Sequence, residues 1–266
     1  MMSLLAAALL SFQEPAARQL VEQFRSDQVE ERDRASRDLK SAGESARPSL
    51  EKAACDADAE VARRARELLD FLDSEAAIAA FRALQSDLDQ AMSVRVKVVG
   101  CGELWTCLAA GATPFRYETR FVLEPGKRAT VEGTRWTSWA KDRPETFRLT
   151  FDEVPVPLTL GMAILHLENC SLQRTWSQST PKEGGWSCQV SEFRGGADDL
   201  GRTLAWRVHW KDVIPVDVRV KLWLDPTTRR PLRRTVVTQL REGAGSGASV
   251  TETFEEFRMT SPEPKK

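Results

Sequence analysis

Few residue types that carry out reactions occur here at a spacing that would let them cooperate. The chain of 266 residues has only two histidines, His166 and His209. His166 lies in an apolar run and His209 beside Arg207 in TLAWRVHW, with no carboxylate or cysteine at ligand spacing, so structural roles are expected for both. Five cysteines, Cys55, Cys101, Cys107, Cys170 and Cys188, form no C-x-x-C pair and match no zinc ribbon or finger. Buried free thiols are expected, and the pairing of Cys101, Cys107, Cys170 and Cys188 stays open if the chain is exported. Gly243 to Ala248 satisfies G-x-G-x-x-A, but a dinucleotide site needs that loop to open a helix, and VTETFEEF after it alternates as a strand. Ser246 lacks the first glycine of a nucleophile elbow, because Ala244 stands there. Asp198-Asp199 sits in FRGGADDLGR, which reads as a Gly-rich solvated loop, and Asp56 to Glu60 lacks the glycine and distal glutamate of a calcium loop. No catalytic residue, metal ligand or cofactor is predicted, and the chain reads as non-enzymatic.

Two other groups could contact a ligand. Arg229, Arg230, Arg233 and Arg234 crowd VKLWLDPTTRRPLRRTVVTQL and could meet phosphates, but the formal net charge is −1 and gives no field for nucleic acid. Arg233 and Arg234 are consecutive on a strand and point to opposite faces, and Glu252, Glu255 and Glu256 in the next strand can offset them. The arginines are therefore expected to mark the solvent side of a sheet. The aromatic set is eight Trp, eleven Phe and one Tyr, with every Trp between Trp105 and Trp223. Much of it falls at alternate positions of strands, where core packing is the ordinary role. Phe115, Tyr117, Phe147, Trp206, Trp210, Val220 and Leu222 are the candidates to line a cavity for an apolar ligand.

The elements that must position these residues have two textures. Residues 18–74 read as successive helices. Val61, Ala65, Leu68 and Leu72 form one apolar stripe opposite Arg63, Arg64 and Glu67, with Asp58 as its N-cap. Ala35 and Leu39 share a face of a helix ended by Gly43, and Pro48 suits the first turn of the next. SEAAIAAFRALQSDLDQAM follows as a longer amphipathic helix with Ile78, Phe81, Leu84 and Leu88 on one side. From Val94 the period changes from 3.6 to 2, as in SVRVKVV, FRYETRFVL, TFRLTF, TLAWRVHW, VDVRVKLWL and SVTETFEEF. These read as half-buried antiparallel strands joined by turns such as Asp225-Pro-Thr-Thr. LTLGMAILHLENC, residues 158–170, interrupts them with a helical pattern.

The order of ERDRASRDLKSAGESARPSLEKAACDADAEVARRARELL resembles a HEAT-type repeat, over one repeat and a half. The amphipathic helix running into SVRVKVVGCGELW, then RYETRFVLEPGKRATVEGT, then the arginine hairpin followed by TETFEEFRM, resemble the lipoprotein-carrier superfamily over residues 75–260. The resemblance implies an incomplete β-barrel closed by helices, with an apolar cavity that takes acyl chains; FDEVPVPLTLG departs from the family's polar mid-sheet turn. The expected fold class is α+β: a curved antiparallel sheet covered by helices, behind an N-terminal α-helical HEAT-like module. The expected organisation is a signal peptide at 1–17, the helical module at 18–74, the carrier-like domain at 75–260 and a disordered tail at 261–266. Leu4 to Leu10 is too short to span a bilayer and matches a secretory signal, so export to the periplasm or cell envelope is expected, with no transmembrane segment. The expected function is binding of a lipid or lipoprotein acyl chain in the concave face. The alternative is an interaction scaffold whose helical module docks a protein partner and whose sheet is solidly packed.

Overall fold

The computed structural model describes residues 15–105, 112–124, 128–137, 144–152, 188–210, 216–240 and 247–260. The interrupting segment 158–170, the signal-like residues 1–14 and the tail 261–266 lie outside them. The fold divides at Ala76/Ala77 into a helical unit and a sheet unit.

The helical unit holds α1 (residues 15–22), α2 (Val29–Ala42), α3 (Arg47–Ala53) and the start of α4 (Ala59–Gln90). Gly43 ends α2 at φ 61°, where a side chain would be strained, and its N–H bonds the carbonyls of Leu39 and Lys40. Pro48 lies in the first turn of α3, where no backbone donor is needed. The Asp58 carboxylate accepts from the N–H groups of Glu60 and Val61 at 2.9 and 3.2 Å, satisfying two orphan donors of α4. Ala35, Leu39, Leu50, Val61, Ala65, Leu68 and Leu72 form one buried cluster with Phe24. Around it Arg47 bonds Glu44 and Asp73, and Arg64 bonds Glu60 and Asp33, all partly solvated. Where two helices were expected there is one: α4 runs unbroken for 32 residues because nothing in it is Gly or Pro.

Among the described residues the sheet unit is one unclosed antiparallel sheet of nine strands in the order β4-β3-β2-β1-β9-β8-β7-β6-β5. The strands are β1 (Ser93–Trp105), β2 (Thr113–Glu124), β3 (Arg128–Thr137), β4 (Glu145–Asp152), β5 (Cys188–Asp198), β6 (Gly201–Trp210), β7 (Val216–Leu224), β8 (Pro231–Leu240) and β9 (Gly247–Thr260). The α+β class with a single large open sheet is thus as expected. Two meanders, β1–β4 and β5–β9, are joined through the β1/β9 ladder. Val94, Val96 and Val98 of β1, Phe115, Tyr117 and Phe121 of β2, and Val218, Val220, Leu222 and Leu224 of β7 face inward. They share a core with Ala77, Ala80, Phe81, Leu84 and Leu88 from the second half of α4.

Two irregularities decide which side chains enter that core. In β9, Glu256 opposes Lys97 and Phe254 opposes Val98, so Glu255 is the extra residue of a bulge. The inward phase switches there from Val250 and Glu252 to Phe257 and Met259, and Glu255 reaches Lys97 at 2.8 Å. In β8, Leu224 pairs with Pro231 and Trp223 with Arg233, which leaves Leu232 extra and turns Arg234, Val236 and Thr238 inward. A segment read as loop is also strand: Phe193 to Asp198 belongs to β5, with the turn confined to Asp199-Leu200. Its glycines pair across the ladder, Gly195 with Leu204 and Gly196 with Thr203, so the ladder holds a stretch whose composition favours a turn.

Candidate functional site

One row of the inner face carries a buried charged pair and the phenol that joins it. Tyr117, Gly100, Glu252, Arg234, Leu222 and Leu204 lie opposite one another across β2, β1, β9, β8, β7 and β6. Tyr117 and Glu252 are two strands apart, about 10 Å between backbones, so a side chain bridges them only if the middle position is empty. Gly100 leaves it empty: a Cβ there would stand 2.2 Å from Tyr117 Cζ. The phenol lies over the glycine and donates to Glu252 Oε1. Arg234 donates through Nε to Glu252 Oε2 at 2.5 Å and through Nη2 to the same oxygen. Phe115 repeats the arrangement one row along, with its ring over Gly102 and stacked on Tyr117 at 6.2 Å and 9°.

All three polar residues are shut off from water, with Arg234 1% exposed and Glu252 0%. Burial, and then the negative charge of Glu252, push the Tyr117 phenol well above its ordinary value, so it stays a donor. A buried ion pair of this kind gains little over an apolar core of the same volume, but losing either partner strands the other. Two inward polar atoms have no hydrogen-bond partner among the described residues, Arg234 Nη1 and Thr119 Oγ1. The Arg234 guanidinium lies 5.4 Å from the Phe254 ring centroid, and both Phe254 and Thr119 face Val98.

The expectation that the arginines mark the solvent side holds for Arg233 and is corrected for Arg234. Arg233 is exposed and stands 5.6 Å from the Trp223 ring, whose indole N–H donates to Asp198 at 2.8 Å. Arg229 pairs with Asp87 of α4 at 3.2 Å. Arg234 turns inward because the β8 bulge sets its phase with Val236. Burial works against ionisation of Asp198, but hydrogen bonds from Trp223, the Leu200 N–H and Lys221 outweigh it and hold the carboxyl below the usual range. Asp198 thus sits at the end of a strand and fixes an indole, where a solvated loop was expected.

Of the predicted lining residues, Phe115, Tyr117, Val220 and Leu222 meet in one inner cluster, exposed by 7%, 3%, 4% and 0%. Phe147 lies on β4 and Trp206 and Trp210 on β6, and their side chains lie outside the described ones, as does His209. His166, Cys107 and Cys170 lie outside the described residues altogether. Cys55 and Cys101 are free and exposed. The sequence reading missed Glu252 and Arg234 as inner groups; their signal is the spacing of Phe254 and Phe257, which betrays the β9 bulge. On the opposite face Glu118, Arg120, Glu132, Thr134, Trp136, Thr146 and Arg148 line a polar groove of about 620 Å³, with Arg116 stacked on Trp136 at 4.7 Å. Among the described residues no group of acidic, histidine or cysteine side chains could hold a metal, and no helix is long and apolar enough to cross a membrane.

No protein-family model matches the chain, and no curated protein matches its sequence. Its structure is similar to that of an S-type phycobiliprotein lyase, CPES, from Guillardia theta, at 7% identity over 72% of this chain and 97% of that one, with a TM-score of 0.30. It is similar also to a LolA superfamily protein from Nitrosomonas europaea, at 9% identity over 69% of this chain and 94% of that one, TM-score 0.22. A DUF1329 family protein from Desulfovibrio piger matches at 9% identity over 70% of this chain and 92% of that one, TM-score 0.23. Likeness at this level assigns neither a family nor a ligand.

Proposed function

We propose that the chain is a non-enzymatic binding protein of the cell envelope whose sheet unit takes a lipid or lipoprotein acyl chain against its inner face. The observation that carries this reading is the sheet, unclosed among the described residues with edges at β4 and β5, and its apolar inner surface from Phe115 and Phe121 to Val220 and Leu222. Phe193, Phe254, Met259 and Ile78 pack around that surface while only partly buried, which leaves apolar area for a chain to cover. Native mass spectrometry and thermal shift of the full chain with phosphatidylethanolamine and a palmitoylated peptide test it. A bound lipid mass with a raised melting temperature supports the reading; no adduct and no shift with either overturns it.

A second reading has its own observation. Phe115, Tyr117, Val220 and Leu222 are already buried against α4, as in a solid core. On that reading the sheet is a scaffold and the helical unit, a HEAT-like piece, docks a protein partner. The same experiment separates the two, since a solid core takes up no lipid.

A further inference from the structure

We propose that the groove on the outer face of β2, β3 and β4 is a binding site of its own and that its ligand is an uncharged, polyhydroxylated chain, a neutral hexose-based glycan. The site is independent of the acyl-chain reading, because it uses the opposite face of the sheet.

The hollow follows from the side chains that the ladder brings together. Thr134 of β3 stands beside Thr146 of β4, and these short residues make a floor. On one side of them runs a row of long side chains, Arg120, Glu132 and Arg148, opposite one another across β2, β3 and β4. On the other side stands Trp136. Glu118 shares the threonine row but reaches away from β3, to Lys97 of β1 at 3.2 Å. Three rows on three strands cover about 10 by 14 Å, and the volume of about 620 Å³ falls within the range of small-molecule sites. Arg116 lies 4.7 Å from the Trp136 ring centroid without lining the groove, so the indole is held from outside and offers an apolar wall already in place.

The chemistry of the lining selects the ligand. A sugar ring carries apolar C–H groups and hydroxyls that each donate and accept. The indole suits the C–H groups. Arg120 and Arg148 only donate, Glu132 only accepts, and the two threonine hydroxyls do both, so hydroxyls of either polarity find partners. Glu132 stands opposite both arginines, yet none of the three forms an ion pair among the described residues, and their hydrogen bonds are open to a ligand. Charge excludes the other classes. Arg120 and Arg148 balance Glu118 and Glu132, and at the rim Glu255 balances Lys97 at 2.8 Å, so no net field draws a polyanion. A wholly apolar ligand would strip water from two guanidinium groups and a carboxylate and return nothing.

The test is a saturation-transfer NMR titration of the full chain with cellohexaose, maltohexaose and chitohexaose, and with hexagalacturonate and hexathymidylate as charged comparators. The native protein, Trp136→Ala and Glu132→Leu are compared. The proposal expects at least one neutral glycan to bind more tightly than either comparator, with an affinity that holds as salt is raised. Trp136→Ala should weaken that binding by about tenfold, through the lost ring contact. Glu132→Leu should weaken it by about three- to tenfold, the value of one hydrogen bond to a charged group or somewhat less, with the urea midpoint near that of the native protein because the position is exposed. Glu132→Leu decides the matter if Trp136→Ala fails to fold. Binding of none of the three glycans, tighter binding of hexagalacturonate or hexathymidylate, or unchanged glycan affinity in Glu132→Leu each overturns the proposal, and each leaves the acyl-chain reading where it stood.

Discussion

Arg47 in the helical unit and Arg234 in the sheet unit do the same thing in opposite surroundings. Arg47 grips Glu44 at 2.7 Å and Asp73 at 2.7 Å with its side chain 26% exposed, and water reaches every partner. Arg234 grips one carboxylate, is 1% exposed, and keeps one nitrogen without a partner among the described residues. Thin helices with small cores use ion pairs as braces around the rim, where each contributes little and can be replaced by water. The sheet places its pair where no water can substitute, so its members are individually costly to remove and collectively dispensable.

The contrast is widest at high pH. Tyr117 is the chain's one tyrosine, so tyrosinate absorbance reports the buried row alone. Its folded value is raised above the ordinary 10.0, so its contribution to stability is complete below that pH and is lost as pH rises beyond it. Tyrosinate is expected to appear only with unfolding, as followed by circular dichroism; smooth titration near 10.0 in a folded protein would contradict the buried hydrogen bond to Glu252.

Next in size is Glu252→Leu, which strands Arg234 and is expected to cost about 3–5 kcal/mol in urea denaturation. The triple replacement Tyr117→Phe, Arg234→Met, Glu252→Leu should recover most of that loss. Gly100→Ala drives a methyl group into the Tyr117 ring and should cost about 1–3 kcal/mol, with a tyrosine titration moved toward the ordinary value. The smallest effect belongs to the rim: Asp73→Asn should change stability by under about 1 kcal/mol, less still in high salt. A large loss there would erase the distinction between brace and buried pair.

Periodicity made most of the fold legible. The alternation in FRYETRFVL places Phe115, Tyr117, Thr119 and Phe121 inward as found, and the stripe Val61, Ala65, Leu68, Leu72 is the helical core. Local chemistry was equally plain at Gly43, Pro48 and Asp58, because each acts on its own backbone. What was hidden depends on partners far away in sequence. PLRRTVVTQL has Val236 beside Val237, so either phase puts a valine inside, and only pairing with β7 and β9 assigns Arg234 to the core. FRGGAD has turn composition, yet the ladder to β6 holds it extended. The candidate site was legible as an apolar face and illegible as a polar row, since a charged residue on a strand is assigned to water unless its partner can be placed.

The β1/β9 ladder has a consequence for the order of assembly. The meander β1–β4 and the meander β5–β8 can each be laid down from neighbouring hairpins as the chain emerges, but the strand that joins them is the last of the nine to be made. Until β9 arrives, β1 and β8 each present an unpaired edge, and Arg234 has no carboxylate beside it. The halves should therefore become one cooperative structure late, in a single zippering event, and during synthesis the nascent chain is most exposed to edge-to-edge aggregation just before its final strand appears.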